Sequence, residues 1–206
     1  MHSFFRHVST ARQLSARSCS LAFIVLAAAA GVARAGVTEV PAGALRINGT
    51  WANSSIAVSG TGLLGGNASI LEPVTLAPGG TIAPGRDTTI GELDGNALTW
   101  QAGGAIQFRL GANNTLSDRL AFTGALTRQG NGSFEFRFGD GTTPPTAGMT
   151  YTLITFASQS GFSPADFSYV YGGSAETLIG EFRLDPDALR FTVVSTPVEL
   201  QSFEVD

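Results

Sequence analysis

Phe134-Glu135-Phe136-Arg137-Phe138 sets three aromatic rings against two charges in strict alternation. Successive side chains of an extended strand point to opposite faces, so the three Phe share one face and Glu135 and Arg137 share the other. Three rings do not favour water while two charges lie buried. The charged face is therefore expected outside, and Phe136, in the middle of the run, is expected deepest. The same period of two recurs nearby. Ile106, Phe108 and Leu110 enclose Gln107 and Arg109; Leu120 and Phe122 flank Ala121; Leu189, Phe191 and Val193 enclose Arg190 and Thr192. Shorter apolar pairs or single residues at Leu45/Ile47, Ile56/Val58, Ile70, Val74/Leu76 and Leu98/Trp100 suggest further brief strands.

Turn signals separate these runs: Asn48-Gly49, Gly65-Gly66-Asn67, Pro78-Gly79-Gly80, Pro84-Gly85, Asp94-Gly95-Asn96, Gly103-Gly104, Gly130-Asn131-Gly132 and Gly139-Asp140-Gly141. Their spacing of about 10–15 residues is the rhythm of an all-β chain. No long stretch after residue 35 shows helical periodicity. Ser163-Pro164-Ala165-Asp166-Phe167 predicts one helical turn, with Ser as cap and Pro at the first helical position. The residues alone fit two all-β architectures. A solenoid stacks short strands into rungs; a sandwich or jelly roll pairs them antiparallel. No strict sequence period is visible.

The chain has 206 residues, 43% hydrophobic and 14% charged, with 26 Gly. That length suits one domain and is enough to bury a core. The amino terminus reads as an export leader over residues 1–35. Arg6, Arg12 and Arg17 carry no nearby carboxylate, an apolar run spans Leu21 to Ala30, and Ala33-Arg34-Ala35 is a small-x-small cleavage site before Gly36. The apolar run is shorter than the roughly 20 residues of a membrane span. Residues 36–195 are expected to form the folded domain, and 196–206 a tail or the start of a linker.

Both His (His2, His7) and the single Cys (Cys19) lie in the leader, and the chain has no Lys. Residues 36–206 keep eight of the twelve Arg and all sixteen Asp and Glu, for a net charge of −8. Without Cys or His there is no structural zinc site, haem ligand or disulfide. Ser–His–Asp, Cys–His and Ser–Lys nucleophile systems lack their bases. Scattered Arg on an acidic chain makes a poor nucleic-acid binder. Carboxylate-based glycoside hydrolysis, calcium binding by oxygen ligands, and no chemistry at all survive this elimination.

One run of motifs carries a family resemblance. In order they are Ser59-Gly60-Thr61-Gly62-Leu63-Leu64-Gly65-Gly66, Val74-Thr75-Leu76-Ala77-Pro78-Gly79, Ile90-Gly91-Glu92-Leu93, Ala105 to Leu110, Ser117-Asp118-Arg119-Leu120, Phe122-Thr123-Gly124, and Ala147-Gly148-Met149-Thr150-Tyr151-Thr152-Leu153-Ile154. This order resembles the β-helical passenger regions of bacterial autotransporters and related sorting-tag surface proteins, over about residues 55–160. The resemblance implies a right-handed parallel β-helix, Gram-negative export and a secreted, periplasmic or cell-surface location. It implies no reaction. That family often continues into an outer-membrane barrel or an anchor helix, and neither is expected within residues 36–206.

Candidate residues have competing readings. Asp94 and Asp140 could ligate calcium, but Asp-Gly-Asn and Gly-Asp-Gly are turn chemistry first. Asp185-Pro186-Asp187 reads as a solvated turn before a strand from Ala188 to Val194 rather than a metal clip. Glu92 with Asp94, or Asp118 with Glu135, could form an acid/base pair, with the carboxyl separation deciding. Trp51, Trp100, Tyr151, Tyr169 and Tyr171 are expected in packing roles rather than as a sugar-stacking platform. Asn48, Asn53, Asn67, Asn113 and Asn131 begin Asn-x-Ser/Thr sequons that this composition produces by chance. The expected function is an exported, non-catalytic scaffold or adhesin without cofactor, metal or nucleic acid, with a surface polysaccharide or protein as partner. The rivals are a carbohydrate-active β-helix, needing solvent-facing carboxylates with Arg in a groove (from Asp87, Glu92, Asp94, Asp118, Glu135 and Asp140), and a small carbohydrate-binding sandwich.

Overall fold

The structure, a computed structural model, describes residues 36–85, 89–174 and 177–195. The leader, Asp87, and the tail from residue 196 lie outside the described residues. The first coil runs β1 (Val37–Val40), β2 (Ala44–Arg46) and β3 (Gly49–Trp51); the second runs β4 (Ser55–Val58), β5 (Leu63–Gly66) and β6 (Ala68–Ile70). The third has β7 (Val74–Leu76), β8 (Thr81–Pro84) and β9 (Glu92–Gly95), and the fourth β10 (Leu98–Gln101), β11 (Ala105–Leu110) and β12 (Arg119–Phe122). The fifth has β13 (Ala125–Gln129), β14 (Phe134–Asp140) and β15 (Thr150–Thr155); then come β16 (Ser158–Ser160), β17 (Phe167–Tyr171), β18 (Ile179–Leu184) and β19 (Ala188–Ser195).

Every third strand pairs. Sheet A is β1-β4-β7-β10-β13-β16, sheet B is β2-β5-β8-β11-β14-β17, and sheet C is β3-β6-β9-β12-β15-β19-β18. All pairings through β17 are parallel. The protein is thus all-β, with three stacked sheets visited in rotation, as a β-helix-like solenoid requires. The antiparallel sandwich does not describe it: among the described residues antiparallel pairing of strands is confined to β15-β19 and β18-β19, which close sheet C, beside one isolated bridge between Gly66 and Gly85.

The core follows from parity. Phe134, Phe136 and Phe138 are buried, and Glu135 and Arg137 face out and pair at 2.7 Å. Register then stacks like on like: Ile56 beside Val74, Val74 beside Leu98, Leu98 beside Leu126. Early coils are filled by Val, Ile and Leu; later ones need rings. Trp100 stands edge-on to Phe134 and Phe136, and its indole N–H donates to the Gly104 carbonyl at 3.0 Å.

The coils widen along the chain. Val37 stands beside Ser55, 18 residues on, and Ile56 beside Val74, again 18. Leu98 follows Val74 by 24, Leu126 follows Leu98 by 28, and Ser158 follows Ala125 by 33. The third coil grows at the corner between sheets B and C. One residue joins β5 to β6, whereas seven join β8 to β9, eight join β11 to β12, and nine join β14 to β15.

Two glycine signals expected as a turn at Gly65-Gly66-Asn67 close β5 instead. The Gly66 φ is +107°, and a Cβ there would stand 2.0 Å from the Ile47 carbonyl oxygen, so only Gly lets this corner stack on the coil before it. The one-turn helix at Pro164–Asp166 is present as a 3-10 turn, with Asp166 accepting the Ser163 N–H at 2.7 Å and hydroxyl at 2.8 Å.

Candidate functional site

The lengthened B–C corners raise loops beside the outer face of sheet C. The first of them is fixed by a buried ion pair. Asp118, 2% exposed, accepts the Gly91 N–H at 2.7 Å, the Arg109 N–H at 2.8 Å and Arg109 Nε at 3.0 Å. Arg109 Nη2 donates to the Pro84 carbonyl at 3.3 Å and to that of Thr89. The pair thereby grips both arms of the β8–β9 loop. Burial pushes the Asp118 carboxyl above the ordinary aspartate value, against the pull of the Arg109 bonds. Gly91 is obligatory here: a Cβ would lie 1.9 Å from Asn67 Oδ1 and 2.5 Å from the Gly85 Cα.

Beside this loop lies a shallow groove of about 430 Å³, lined by Gly49, Thr50, Asn67, Ala68, Ser69, Gly91, Glu92 and Asp94. Register builds it. Thr50 stands beside Ser69, Ser69 beside Asp94, and Glu92 beside Arg119. Glu92 and Asp94 are two apart on one strand and share its outer face. Asn side chains connect the coils: Asn67 N–H donates to Asn48 Oδ1 at 3.4 Å, and Glu92 N–H to Asn67 Oδ1 at 3.2 Å. Arg119 pairs with Glu92 at 2.5 Å. Burial, then the neighbouring Glu92 charge, raise the Asp94 carboxyl above its ordinary value; Arg119 draws it down by less. Two carboxyls on one outer face, one of them paired with Arg119, beside the hydroxyls of Thr50 and Ser69, form an arrangement able to hydrogen-bond to the hydroxyl groups of a ligand.

The structure thus brings Glu92 and Asp94 together and keeps Asp118 and Glu135 apart, Asp118 being committed to Arg109 and Glu135 to Arg137. Asp94 is not a turn residue: β9 continues through it, because its backbone pairs with Ser69 and Ala121 on either side. Asp140 accepts the Tyr171 hydroxyl and, at 2.6 Å, the Ser174 N–H. Burial works to raise it, but the Ser174 and Tyr171 bonds outweigh burial and leave it lowered. Asp185 opens the expected three-residue turn, where it neutralises Arg183 at 2.7 Å and Arg190 at 2.8 Å, a cross-strand pair of like charges. Among the described residues no three His, Cys, Asp or Glu converge as a metal cluster.

The aromatics are dispersed. Trp100 and Tyr151 are fully buried, and Tyr151 donates to the Gly111 carbonyl at 2.6 Å. Tyr169 donates to the Leu178 carbonyl at 3.0 Å, and half-buried Trp51 to that of Ser54 at 2.8 Å. Of the sequon residues, Asn113 caps the 3-10 turn Asn114–Leu116, and Asn67 lines the groove with its N–H donating to Asn48 Oδ1. Arg119, Thr50 and Ser69 escaped sequence reasoning, since their partners lie a full coil away, and Arg109, nine residues before Asp118, reads in the sequence only as the polar face of its strand; only the Gly85 and Gly91 bracket marked a tight corner. No protein-family model matches the chain, and no curated protein matches it. Among the described residues no helix is long and apolar enough to cross a membrane.

Proposed function

We propose that the chain is an exported envelope or extracellular scaffold, built as a closed right-handed β-helix of the kind that autotransporter passengers resemble. The observation that carries this is the coil-on-coil register. It places an unbroken apolar stack inside and rows of short polar side chains outside, such as Thr75, Thr99 and Thr127 across sheet A. A parallel strand reached by a crossover in the same sheet is right-handed in about 98% of cases, which supports the hand. Gly36 already belongs to the fold, its carbonyl accepting the Ser55 N–H at 3.2 Å, which supports a leader ending at Ala35. The test is export of the full chain in a Gram-negative host. Recovery in the periplasm, surface fraction or medium with Gly36 as amino terminus is expected. Recovery from the cytoplasm with Met1 intact would overturn it.

A second reading rests on Glu92, Asp94 and Arg119 in the sheet C groove: recognition or cleavage of a neutral polysaccharide through its hydroxyl groups. It is tested on a glycan array and with reducing-end assays. Binding or turnover lost in Asp94→Asn supports it; no binding to any glycan leaves the scaffold reading alone.

A further inference from the structure

We propose that Asn131 is a site of spontaneous deamidation, converted to aspartate and isoaspartate after attack by the Gly132 backbone nitrogen. The chain holds two Asn-Gly pairs, at Asn48 and Asn131. Stacking of the coils treats them differently. Gly49 N–H donates to the Asn67 carbonyl at 3.1 Å, and Asn48 Oδ1 accepts the Asn67 N–H at 3.4 Å. Both reacting groups of that pair are thus tied to the next coil. Asn131 and Gly132 are exposed, and among the described residues neither has a hydrogen-bond partner. The Asp-Gly pairs are held as well. Asp94-Gly95 lies in β9, paired on both sides, and Gly141 N–H donates to the Leu110 carbonyl at 2.8 Å while Asp140 accepts the Ser174 N–H.

Register explains why this corner stands free. Gln101 and Gln129 pair 28 residues apart, whereas Ala105 and Glu135 pair 30 apart. The corner from β13 to β14 therefore carries two residues more than the one from β10 to β11. Its base is stitched down: the Gln129 carbonyl accepts the Ala102 N–H and the Ser133 carbonyl the Gly103 N–H, each at 3.0 Å. Residues 130–132 arch between those anchors. Gly132 has a φ of +143°, a conformation that favours glycine, so no side chain shields its nitrogen. Loss of the Gly132 amide proton to hydroxide frees that nitrogen to attack Asn131 Cγ. The N–Cγ bond forms, the Cγ–Nδ2 bond breaks, and ammonia leaves with a proton from water. A succinimide ring remains. Water opens it at Cγ to give aspartate, or at the Asn131 main-chain carbonyl to give isoaspartate. Water is the only co-reactant. Each product adds a negative charge on a ridge that has none, since the corners 41–43, 59–62, 77–80 and 102–104 are uncharged. Isoaspartate also lengthens the main chain by a methylene, which an arch between two fixed ends absorbs.

The test incubates the folded full chain in mildly alkaline buffer, beside a sample unfolded in guanidinium chloride. Mass spectrometry follows the Asn48 and Asn131 peptides, and enzymatic methylation counts isoaspartate. In the folded chain Asn131 should convert at least about tenfold faster than Asn48, a difference of about 1.4 kcal/mol in barrier. In the unfolded chain the two rates should converge, because both pairs then share the same local chemistry. An acidic band should grow on isoelectric focusing in step with the Asn131 product. It should be absent over the same interval in Asn131→Gln, whose longer side chain closes the ring poorly. The converted chain should keep its circular dichroism and melting temperature. Asn48 converting as fast as Asn131 in the folded chain overturns the proposal. So does Asn131 converting more than about tenfold slower folded than unfolded, an acidic band that persists in Asn131→Gln, or a converted chain that has lost its fold.

Discussion

Replacing Phe136 by alanine tests the inward stacking of rings directly. The ring is wholly buried and lies 5.3 Å from Trp100, 5.8 Å from Phe108, 5.6 Å from Phe138 and 5.3 Å from Phe182. It therefore touches the coil before it, its own strand and the closing hairpin. Phe→Ala in a core costs about 3–5 kcal/mol, transfer and cavity together. Aromatic pairs add about 0.5–1.5 kcal/mol beyond area, and with four such neighbours the upper part of the range is expected. Glu135 and Arg137 are its counterpart on the wet face, half-exposed and paired with each other. Glu135→Ala should stay within about 1 kcal/mol, as exposed ion pairs do. Urea unfolding followed by far-ultraviolet circular dichroism reads both, with unchanged slopes confirming a shared unfolded state. A domain stable by only about 5–15 kcal/mol should show the first change plainly. If Glu135→Ala costs more than Phe136→Ala, the faces have been assigned the wrong way round and the solenoid register is wrong with them.

Three further outcomes are expected. Arg109→Met strands the buried Asp118 carboxyl and should destabilise by about 3–5 kcal/mol, whereas Arg183→Ala, at an exposed site, should cost under about 1 kcal/mol; equal costs in urea would contradict the loop-gripping role. In an NMR titration, Glu92→Gln should lower the Asp94 pKa by removing a neighbouring negative charge, and Arg119→Ala should raise it; shifts of the opposite sign would mean the two carboxyls do not interact. Asp185 is held below the ordinary aspartate range, first by its Arg190 bond and then by Arg183. Its folded pKa lies below its unfolded one, so its contribution is present above about pH 4 and lost as pH falls through the folded value. The stability gap between wild type and Asp185→Asn should therefore shrink on acidification, and a gap that widens below pH 4, read from melting temperatures, would refute the assignment.

What the sequence disclosed was local. Alternation at Phe134–Phe138 and Ala105–Leu110 assigned inside and outside correctly, because parity needs only neighbours in the chain. Ser163-Pro164 likewise announced its turn. The partners of Asp118 and Glu92 were out of reach. Arg109 precedes Asp118 by only nine residues, but the two meet because the β11–β12 loop folds back on its own strand, and Arg119 stands beside Glu92 only once coils of differing length are stacked. Insertions at the B–C corner erased the repeat that would have revealed that stacking. Asp94 was misjudged as a turn residue since Asp-Gly-Asn carries turn chemistry, yet pairing on both sides keeps it extended. The hairpin that closes sheet C gave no signal of its direction, since an alternating strand reads alike parallel or antiparallel.

The corner insertions have an evolutionary meaning. Closing a flexible loop costs entropy only logarithmically, about 0.6 kcal/mol for each doubling of length. The B–C corner grows from one residue after β5 to nine after β14, about three doublings, or roughly 2 kcal/mol. That penalty is no larger than the gain from burying a single phenylalanine side chain, about 1.5–3 kcal/mol. A lineage can therefore lengthen this corner repeatedly, retaining whichever new loops prove useful, while the strands beneath keep their neighbours. Residues added there gather along one ridge of the molecule, and the remainder stays under the discipline of packing.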